Sequence, residues 1–173
     1  MITVEPHPAP VPHGPLAPTT RVRSARAEDA AALAELSRPF VCSGALRERP
    51  VPLYAAHAAD FLVAEAPGGD LEGCVGLRVY PAGPGECREP AGVLYNFCVA
   101  GPSQGCGVGA VLLRAALAAA RARSLGGLFT ATTGTGALFL RHGFTPCDAR
   151  LAPRSWAHSL DPRRGARVLA RTL

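Results

Sequence analysis

The chain reads CVAGPSQGCGVGAVLL over residues 98–113, and this stretch decides the fold. It predicts the end of an apolar strand, a glycine-rich turn and the first turns of a helix, because Gly and Pro interrupt regular structure. Glycines at 105, 107 and 109 let the backbone approach a ligand without a clash from a Cβ atom. The free amides and partial positive charge of a helix N-terminus attract phosphate. The turn therefore predicts a site for a phosphate-containing ligand.

The glycines alone leave the ligand open. A Rossmann site requires the spacing G-x-G-x-x-G and an acidic residue after the next strand, and neither is in place. A Walker A loop requires a Gly-Lys pair, whereas all 18 basic residues of this chain are Arg. A tight strand-to-helix connection without any ligand remains an equally good interpretation at this point.

The segments on either side predict an α+β domain. Gly92 to Ala100 is the strongest strand, and Val108 to Ser124 is a long helix whose apolar positions at 108, 111, 112, 115 and 119 would face the sheet. Further strands are predicted at Thr20–Ser24, Phe61–Glu65, Gly73–Tyr80, Leu128–Thr132, from Phe144 and at Arg167–Leu173. Further helices are predicted from Glu28 to Ser37, ended by Pro39, and from Ala137 to Arg141. This order predicts one domain over residues 20–173, with a mixed central β-sheet flanked by helices.

Residues 1–19 contain six Pro and no periodic apolar pattern, so we expect a flexible proline-rich extension there. The chain has 173 residues, of which 48% are apolar, but no run approaches the roughly 20 apolar residues of a membrane span. It also lacks a secretory leader pattern, and these features predict a soluble cytoplasmic protein that does not bind membranes.

The charge and the cysteine pattern limit the classes of ligand that the chain is expected to bind. The net charge of +5 suits an anionic ligand, while scattered Arg residues without interleaved aromatic residues argue against a nucleic-acid partner. The six Cys residues show no CxxC pair and no Cys/His zinc spacing. We therefore expect free thiols and no metal site.

Three features at matching separations resemble one family. Gln104–Gly109 has the pattern Q-x-x-G-x-G, and it lies between the strand ending Cys98-Val99-Ala100 and the segment FLRHGF at 139–144. Together with VRSARAEDAAAL at 22–33, they resemble the acetyl-CoA signature of the GNAT acetyltransferase superfamily. The resemblance covers about residues 20–173 and implies acetyl-CoA as co-substrate. The residues implied to bind it are Cys98, Val99, Ala100, Gln104, Gly105, Cys106, Gly107, Val108, Gly109, Ala110, Phe139 and Arg141.

The resemblance also implies catalytic roles. The backbone amide of Val99 would hydrogen-bond the thioester carbonyl and stabilise the oxyanion. Many members use a Tyr in the last motif as the acid that protonates the thiolate, but this chain has Leu140 there, so Thr135 is the candidate donor. The acidic residue of the central strand aligns with Tyr95, which would contact the amine or a water, although a pKa near 10 makes a poor base. Direct transfer of the acetyl group, with the amine proton leaving through water, is the preferred route. An acetyl-cysteine route through Cys98 is the alternative, but we prefer to interpret Cys98 as a thiol of the core.

Within the superfamily, the chain is most similar to short N-acetylglutamate synthase domains, through SRPFVCSGAL at 37–46 and LFTATTGTGALFLRHGFTPCD at 128–148. The N-acetyltransferases associated with arsenic resistance resemble DFLVAE at 60–65 and VGLRVY at 75–80 comparably well. Both imply that the acceptor is the amine of an amino acid or a similar small molecule, with glutamate and toxic amino-acid analogues as candidates.

The implied substrate residues are Arg47, Arg49, Tyr95 and Arg164. Glu48 aligns with the Arg that grips the substrate carboxylate in the synthases, and a one-residue shift restores Arg47 or Arg49. A non-catalytic acyl-CoA-binding regulatory module and a protein acetyltransferase stay open as alternatives. The resemblance also implies a homodimer.

Overall fold

The computed structural model describes residues 20–84 and 86–173; the predicted proline-rich extension, residues 1–19, lies outside the described residues. The strands are β1 (Arg21–Ser24), β2 (Phe61–Glu65), β3 (Leu71–Tyr80), β4 (Ala91–Val99), β5 (Gly127–Thr132), β6 (Thr145–Pro146) and β7 (Arg167–Thr172). The α-helices are α1 (Ala30–Cys42), α2 (Val51–Ala56), α3 (Val108–Ala122), α4 (Ala137–Arg141) and α5 (Arg154–Ser159).

The strands form one sheet in the order β1-β2-β3-β4-β5-β7-β6. Only the β4–β5 pair is parallel among the described strands, and the other pairs are antiparallel. The predicted α+β domain with a mixed sheet flanked by helices is confirmed.

The two faces of the sheet carry separate cores because successive side chains of a strand point to opposite faces. On β3, Val75 and Leu77 pack with α3 in one core, whereas Cys74 packs with Leu33 of α1 in the other. The buried stripe of α3 consists of Val108, Leu112, Leu113, Ala116, Leu117 and Ala120. The predicted stripe was therefore partly wrong, since the residues at 111, 115 and 119 are only half-buried.

The end of helix α1 differs from the prediction. Pro39 does not end the helix, which continues to Cys42. Proline lacks the N–H that would bond to the carbonyl of Glu35, but Glu35 and Pro39 are both exposed, so water can hydrate that carbonyl. The chain beyond α1 folds back, with the amide of Leu46 donating to the carbonyl of Phe40 (2.9 Å). Helix α5 is a further element that the sequence pattern does not predict.

The sheet opens between β4 and β5. These strands pair only from Ala91–Gly127 to Leu94–Thr130, and β4 then runs on to Val99 without β5 beside it. A bulge lies just beyond the last pair, because Tyr95 pairs with Gly76 whereas Cys98 pairs with Cys74. Asn96 lies in this bulge. Its φ of +49° is left-handed, a conformation that Asn tolerates better than most residues. A bulge bends its strand, so it helps β4 diverge from β5.

Among the helices of residues 20–84 and 86–173, none has both the length and the apolar character needed to cross a bilayer.

Candidate active site

The glycine-rich turn leads directly into α3. Gly105 and Gly107 have φ angles of +78° and +87°, and Gly107 is the last residue before the helix. A Cβ atom built on either glycine meets no atom within 4 Å. The requirement for glycine here is therefore conformational, and the space outside the turn is open.

The turn is tied to the end of β4. Gln104 Nε2 donates to the carbonyl of Val99 (2.9 Å), and Ser103 Oγ donates to the carboxylate of Glu72 on β3 (3.0 Å). The amide of Ala100 donates to the carbonyl of Glu72 (2.8 Å). Since successive amides of a strand point to opposite sides, the Val99 N–H points away from β3, toward the opening beside β5.

The start of α3 also approaches β4 and α4 closely. A Cβ atom on Gly109 would lie 3.2 Å from Leu138 and 3.6 Å from Val99. The amides of the first helical turn, at 108–110, have no acceptor within the helix. An open turn, free amides and an amide beside the opening together fit a diphosphate and the arm attached to it.

Helix α4 is anchored by Phe139, which is 9% exposed. Its ring contacts Phe97 and Phe144 edge-on, with centroids 5.5 and 5.4 Å away. Phe139 thus holds α4 against β4 and lines the neighbouring cavity. Arg141 and Cys106 are exposed. In the part of the chain described, Arg141 forms no ion pair.

A cavity of about 840 Å³ begins where β4 and β5 separate. Most of its walls come from five parts of the chain, which are residues 45–49, β3, residues 93–97 of β4, residues 130–134 and residues 156–166, and Phe40, Phe139 and Ala149 complete the lining. The arginines that line it are Arg47, Arg49, Arg78 and Arg164. Among the described residues, Asp161 is the only acidic residue in the lining, so the cavity favours anionic groups.

Two guanidinium groups lie close to the ring of Tyr95 at the cavity wall. The Cζ atoms of Arg49 and Arg78 are 5.2 and 5.1 Å from the ring centroid. The hydroxyl donates to Asp60 Oδ2 (3.1 Å), and the ring edge contacts Phe61 at 5.2 Å between centroids. Burial, and next the negative charge of Asp60, raise the pKa of Tyr95 above its ordinary value of 10. Tyr95 therefore keeps its proton at neutral pH.

The bulge holds Arg49 in place. Arg49 Nη1 donates to Asn96 Oδ1 (2.9 Å), which also accepts from the Tyr54 hydroxyl (3.3 Å). Asn96 is 4% exposed, and its Nδ2 donates to Ser37 Oγ (2.9 Å). The amide group is thus fixed on both sides, and it fixes one nitrogen of the Arg49 fork.

The other two predicted arginines connect loops. Arg47 Nη2 donates to the carbonyl of Ser159 (2.7 Å), and Arg164 Nη2 donates to the carbonyls of Gly44 (2.6 Å) and Ala45 (2.8 Å). They bind the loop after α1 to the segment after α5. The structure therefore brings all three predicted arginines to one cavity, but Arg49 differs from the other two in its contacts.

The sequence analysis missed Arg78 and Asp60 as site residues. Arg78 lies within the VGLRVY stretch, where strand alternation gives no sign that its side chain faces a cavity. Asp60 lies before β2, and only the pairing of three strands brings it to Tyr95. Tyr95 thus occupies the position on β4 where the resemblance leads one to expect an acidic residue, and its hydroxyl donates to an acidic residue from another element.

Thr135 is exposed and lies just before α4. Its Oγ1 accepts from the amide of Ala137 (3.4 Å), and its carbonyl accepts from Arg167 Nη2 (2.8 Å). The residues lining the cavity include Thr133 and Gly134 but not Thr135. Its role as a proton donor stays a prediction.

Cys98 lies on the α1 side of the sheet and is 2% exposed. Its Sγ is 3.4 Å from Cys74 Sγ and 3.9 Å from Ser37 Oγ. The hydrogen bond with Cys98, and then burial, raise the pKa of the Cys74 thiol. Any contact of Cys98 with a ligand in the opening would come from its backbone, which favours the core thiol over the acetyl-cysteine route. No group of three or more potential ligands among residues 20–84 and 86–173 is placed to hold a metal ion.

Comparison with known proteins gives one family. Residues 57–146 match the acetyltransferase (GNAT) domain family. The chain is 35% identical over 123 residues to an amino-acid acetyltransferase of Ralstonia nicotianae, an alignment that covers 71% of this chain and 26% of the relative.

Solved structures agree in fold. The N-acetylglutamate synthase of Neisseria gonorrhoeae, complexed with coenzyme A and N-acetyl-glutamate, matches with a TM-score of 0.79 at 26% identity, over 90% of this chain and 35% of the synthase. A Mycobacterium tuberculosis protein in complex with CoA matches with a TM-score of 0.71 at 23% identity, over 88% and 99% of the two chains. The chain thus spans about a quarter of the Ralstonia relative and about a third of the synthase.

Proposed function

This chain belongs to the GNAT acetyltransferase family, whose acyl donor is acetyl-CoA, and we propose that it acetylates the amine of an amino acid or of a similar small molecule. Glutamate is the first candidate acceptor. Toxic amino-acid analogues with an amine and an anionic group share the chemistry that this site would recognise.

One observation carries the proposal. The guanidinium carbons of Arg49 and Arg78 lie 5.2 and 5.1 Å from the ring centroid of Tyr95, and all three residues line the cavity that begins where β4 and β5 separate. Guanidinium groups bind carboxylates through charge-assisted hydrogen bonds with defined geometry. An acceptor whose carboxylate contacts Arg49 or Arg78 would place its amine near the opening between β4 and β5.

The coenzyme, when bound, supplies an acetyl thioester. The backbone of the turn, at 104–110, would hold the diphosphate, with the dipole of α3 adding to the attraction. The Val99 N–H points toward the opening and would donate to the oxygen that gains negative charge as the amine attacks. Direct attack by the amine is the preferred route, because the Cys98 thiol does not line the cavity.

The charges of the cavity favour a neutral amine. Nearby positive charges lower the pKa of a bound ammonium group, because its charged form is repelled. The lining holds four arginines and, in the described part of the chain, one acidic residue. These arginines would therefore attract the carboxylate of the acceptor and at the same time ease loss of the amine proton.

Protonation of the departing thiolate is assigned to Thr135 as a proposal. Leu140 occupies the position where many relatives carry a Tyr, so that position offers no hydroxyl. Thr135 presents an exposed hydroxyl immediately before α4. Tyr95 is not assigned this role, since its hydroxyl is directed to Asp60.

The departures at Leu140 and Tyr95 favour one second candidate, a regulatory module that binds acyl-CoA without transferring the acyl group. The two functions are separable by one experiment. Purified protein is mixed with acetyl-CoA, and release of the CoA thiol is followed with L-glutamate, then the other amino acids, and then phosphinic and arsenical analogues. We expect turnover with at least one carboxylate-bearing amine above the rate without acceptor. Acetyl-CoA binding by calorimetry, without turnover on any compound of the panel, would establish the binding module instead.

A further inference from the structure

One residue from each of three neighbouring strands lies in the same row across the sheet, and the row ends at Tyr95. Phe61 of β2 pairs with Gly76 of β3, and Gly76 pairs with Tyr95 of β4. A Cβ atom on Gly76 would lie 2.5 Å from the Tyr95 ring, so the ring lies across Gly76 toward β2. This orientation brings the hydroxyl to Asp60, the residue before Phe61, at 3.1 Å.

The polar groups continue from Asp60 to the surface. Asp60 Oδ2 lies 3.9 Å from His57 Nδ1 and 3.7 Å from Arg78 Nε. The side chains of Asp60 and His57 are 30% and 45% exposed, and neither residue lines the cavity, whereas Tyr95 does. Tyr95 therefore lines the cavity and, through its hydroxyl, contacts a carboxylate that has access to solvent.

We propose that Tyr95 and Asp60 form a proton relay that removes the ammonium proton of the acceptor from the cavity. The inference rests on the proposed function, because it requires an amine acceptor. Tyr95 Oη accepts the proton from the ammonium nitrogen as its own phenolic proton passes to Asp60 Oδ2. Tyr95 is neutral before and after the step. The Asp60 carboxylate becomes a carboxylic acid and then loses the proton to water or to His57.

The surrounding charges direct this transfer outward. Arg49, from the loop before α2, and Arg78, from β3, both lie about 5 Å from the Tyr95 ring. Positive charge at the ring is therefore repelled by both guanidinium groups, while Asp60 is the acidic group that accepts from its hydroxyl. His57, whose side chain is more exposed than that of Asp60, lies 3.9 Å from Asp60 Oδ2. Because phenol accepts as it donates, the relay needs no tyrosinate, and the raised pKa of Tyr95 is compatible with it.

The test is the pH dependence of kcat/KM for the wild type, Asp60→Asn and Tyr95→Phe. The acceptor is the first compound of the panel that the wild type acetylates, beginning with L-glutamate. We expect a nearly flat wild-type profile between pH 7 and 9. Asp60→Asn should lose about 100-fold at pH 7, the usual scale of general base catalysis, and recover about tenfold per pH unit as the free amine becomes abundant. Tyr95→Phe should show the same profile, and the double variant should be no slower than either single one, since the two residues act as a unit.

Asp70→Asn is the matched control, because Asp70 is an exposed acidic residue in the turn between β2 and β3. It should keep the wild-type profile. Tyr95→Phe carries the test alone if Asp60→Asn does not fold, since phenylalanine retains the ring contact with Phe61 and removes only the hydroxyl. A loss by the same factor at every pH, or no loss, overturns the relay while leaving the proposed function intact. A wild-type protein that acetylates no compound of the panel contradicts the proposed function, and the relay with it.

Discussion

The turn before α3 and the cavity proposed to hold the acceptor both adjoin β4, yet they are built in different ways. The turn is one continuous segment, 101–110, and the groups proposed to contact the coenzyme are backbone amides. The cavity takes its walls from several separate parts of the chain, and the groups proposed to contact the acceptor are side chains. A backbone site depends on local conformation, whereas a side-chain site depends on which strands and loops become neighbours.

This difference predicts that substitutions in the two regions affect different substrates. A change in the cavity should alter acceptor binding and leave coenzyme binding as it was. A change in the turn should do the opposite. Three predictions follow from the contacts described above, from the largest expected effect to the smallest.

Arg49→Ala should raise the KM for the amino-acid acceptor by roughly 30-fold, because a hydrogen bond to a charged group contributes about 2 kcal/mol. The Kd for CoA, measured by calorimetry, should remain within about twofold of wild type. Arg49→Lys keeps the charge but loses the planar fork, so it should restore only part of the affinity. Arg114→Ala, an exposed position on α3, is the control. Weaker CoA binding in Arg49→Ala would show that the two regions are not separate.

Gly107→Ala should destabilise the fold by about 1–2 kcal/mol, because a residue with a Cβ atom pays that cost at a left-handed φ. The amides at the start of α3 should lose alignment, and CoA binding should weaken about fivefold. Urea unfolding and calorimetry measure the two effects. Gly68→Ala has equal room but no positive φ, so it should change neither quantity. Wild-type stability in Gly107→Ala would remove the conformational explanation for this glycine.

Tyr95→Phe should change how stability depends on alkaline pH. The pKa of Tyr95 is raised by burial and by Asp60, so the folded protein keeps this proton when the unfolded chain loses it near pH 10. The unfolding free energy of the wild type should therefore fall above pH 10, by up to about 1.4 kcal/mol per pH unit. Tyr95→Phe should lack the part of this decrease in unfolding free energy that comes from the Tyr95 proton. Parallel curves for the two proteins in urea unfolding between pH 8 and 11 would contradict the raised pKa.

Local patterns were enough to predict the turn before α3 and the short helix α4. The glycines of the turn report a backbone conformation, and the segment FLRHGF reports a short helix and its end, which the structure places at Ala137–Arg141. Such signals are local, because each one depends on residues a few positions apart. The extent of α1 was predicted less well, since whether Pro39 ends a helix depends on solvent access to the carbonyl of Glu35.

The residues that line the cavity were predicted only in part, because they come from parts of the chain that are far apart in sequence. Arg47, Arg49 and Arg164 were identified through resemblance to relatives, and they do reach one cavity. Nothing local distinguishes Arg49, which is held by the buried Asn96, from Arg47, which donates to a backbone carbonyl. That distinction depends on the bulge in β4 and on where the segment after α5 comes to lie.

The sequence by itself determined the family, the mixed sheet and the glycine-rich turn that is proposed to hold the coenzyme, because each is encoded in contiguous residues with a direct conformational meaning. The tertiary structure alone decided the surroundings of Tyr95. Asp60 and Arg78 reach it because β2, β3 and β4 are adjacent and Gly76 leaves room for the ring. Pairing register between distant segments is set by the whole core, and no single stretch of the chain records it.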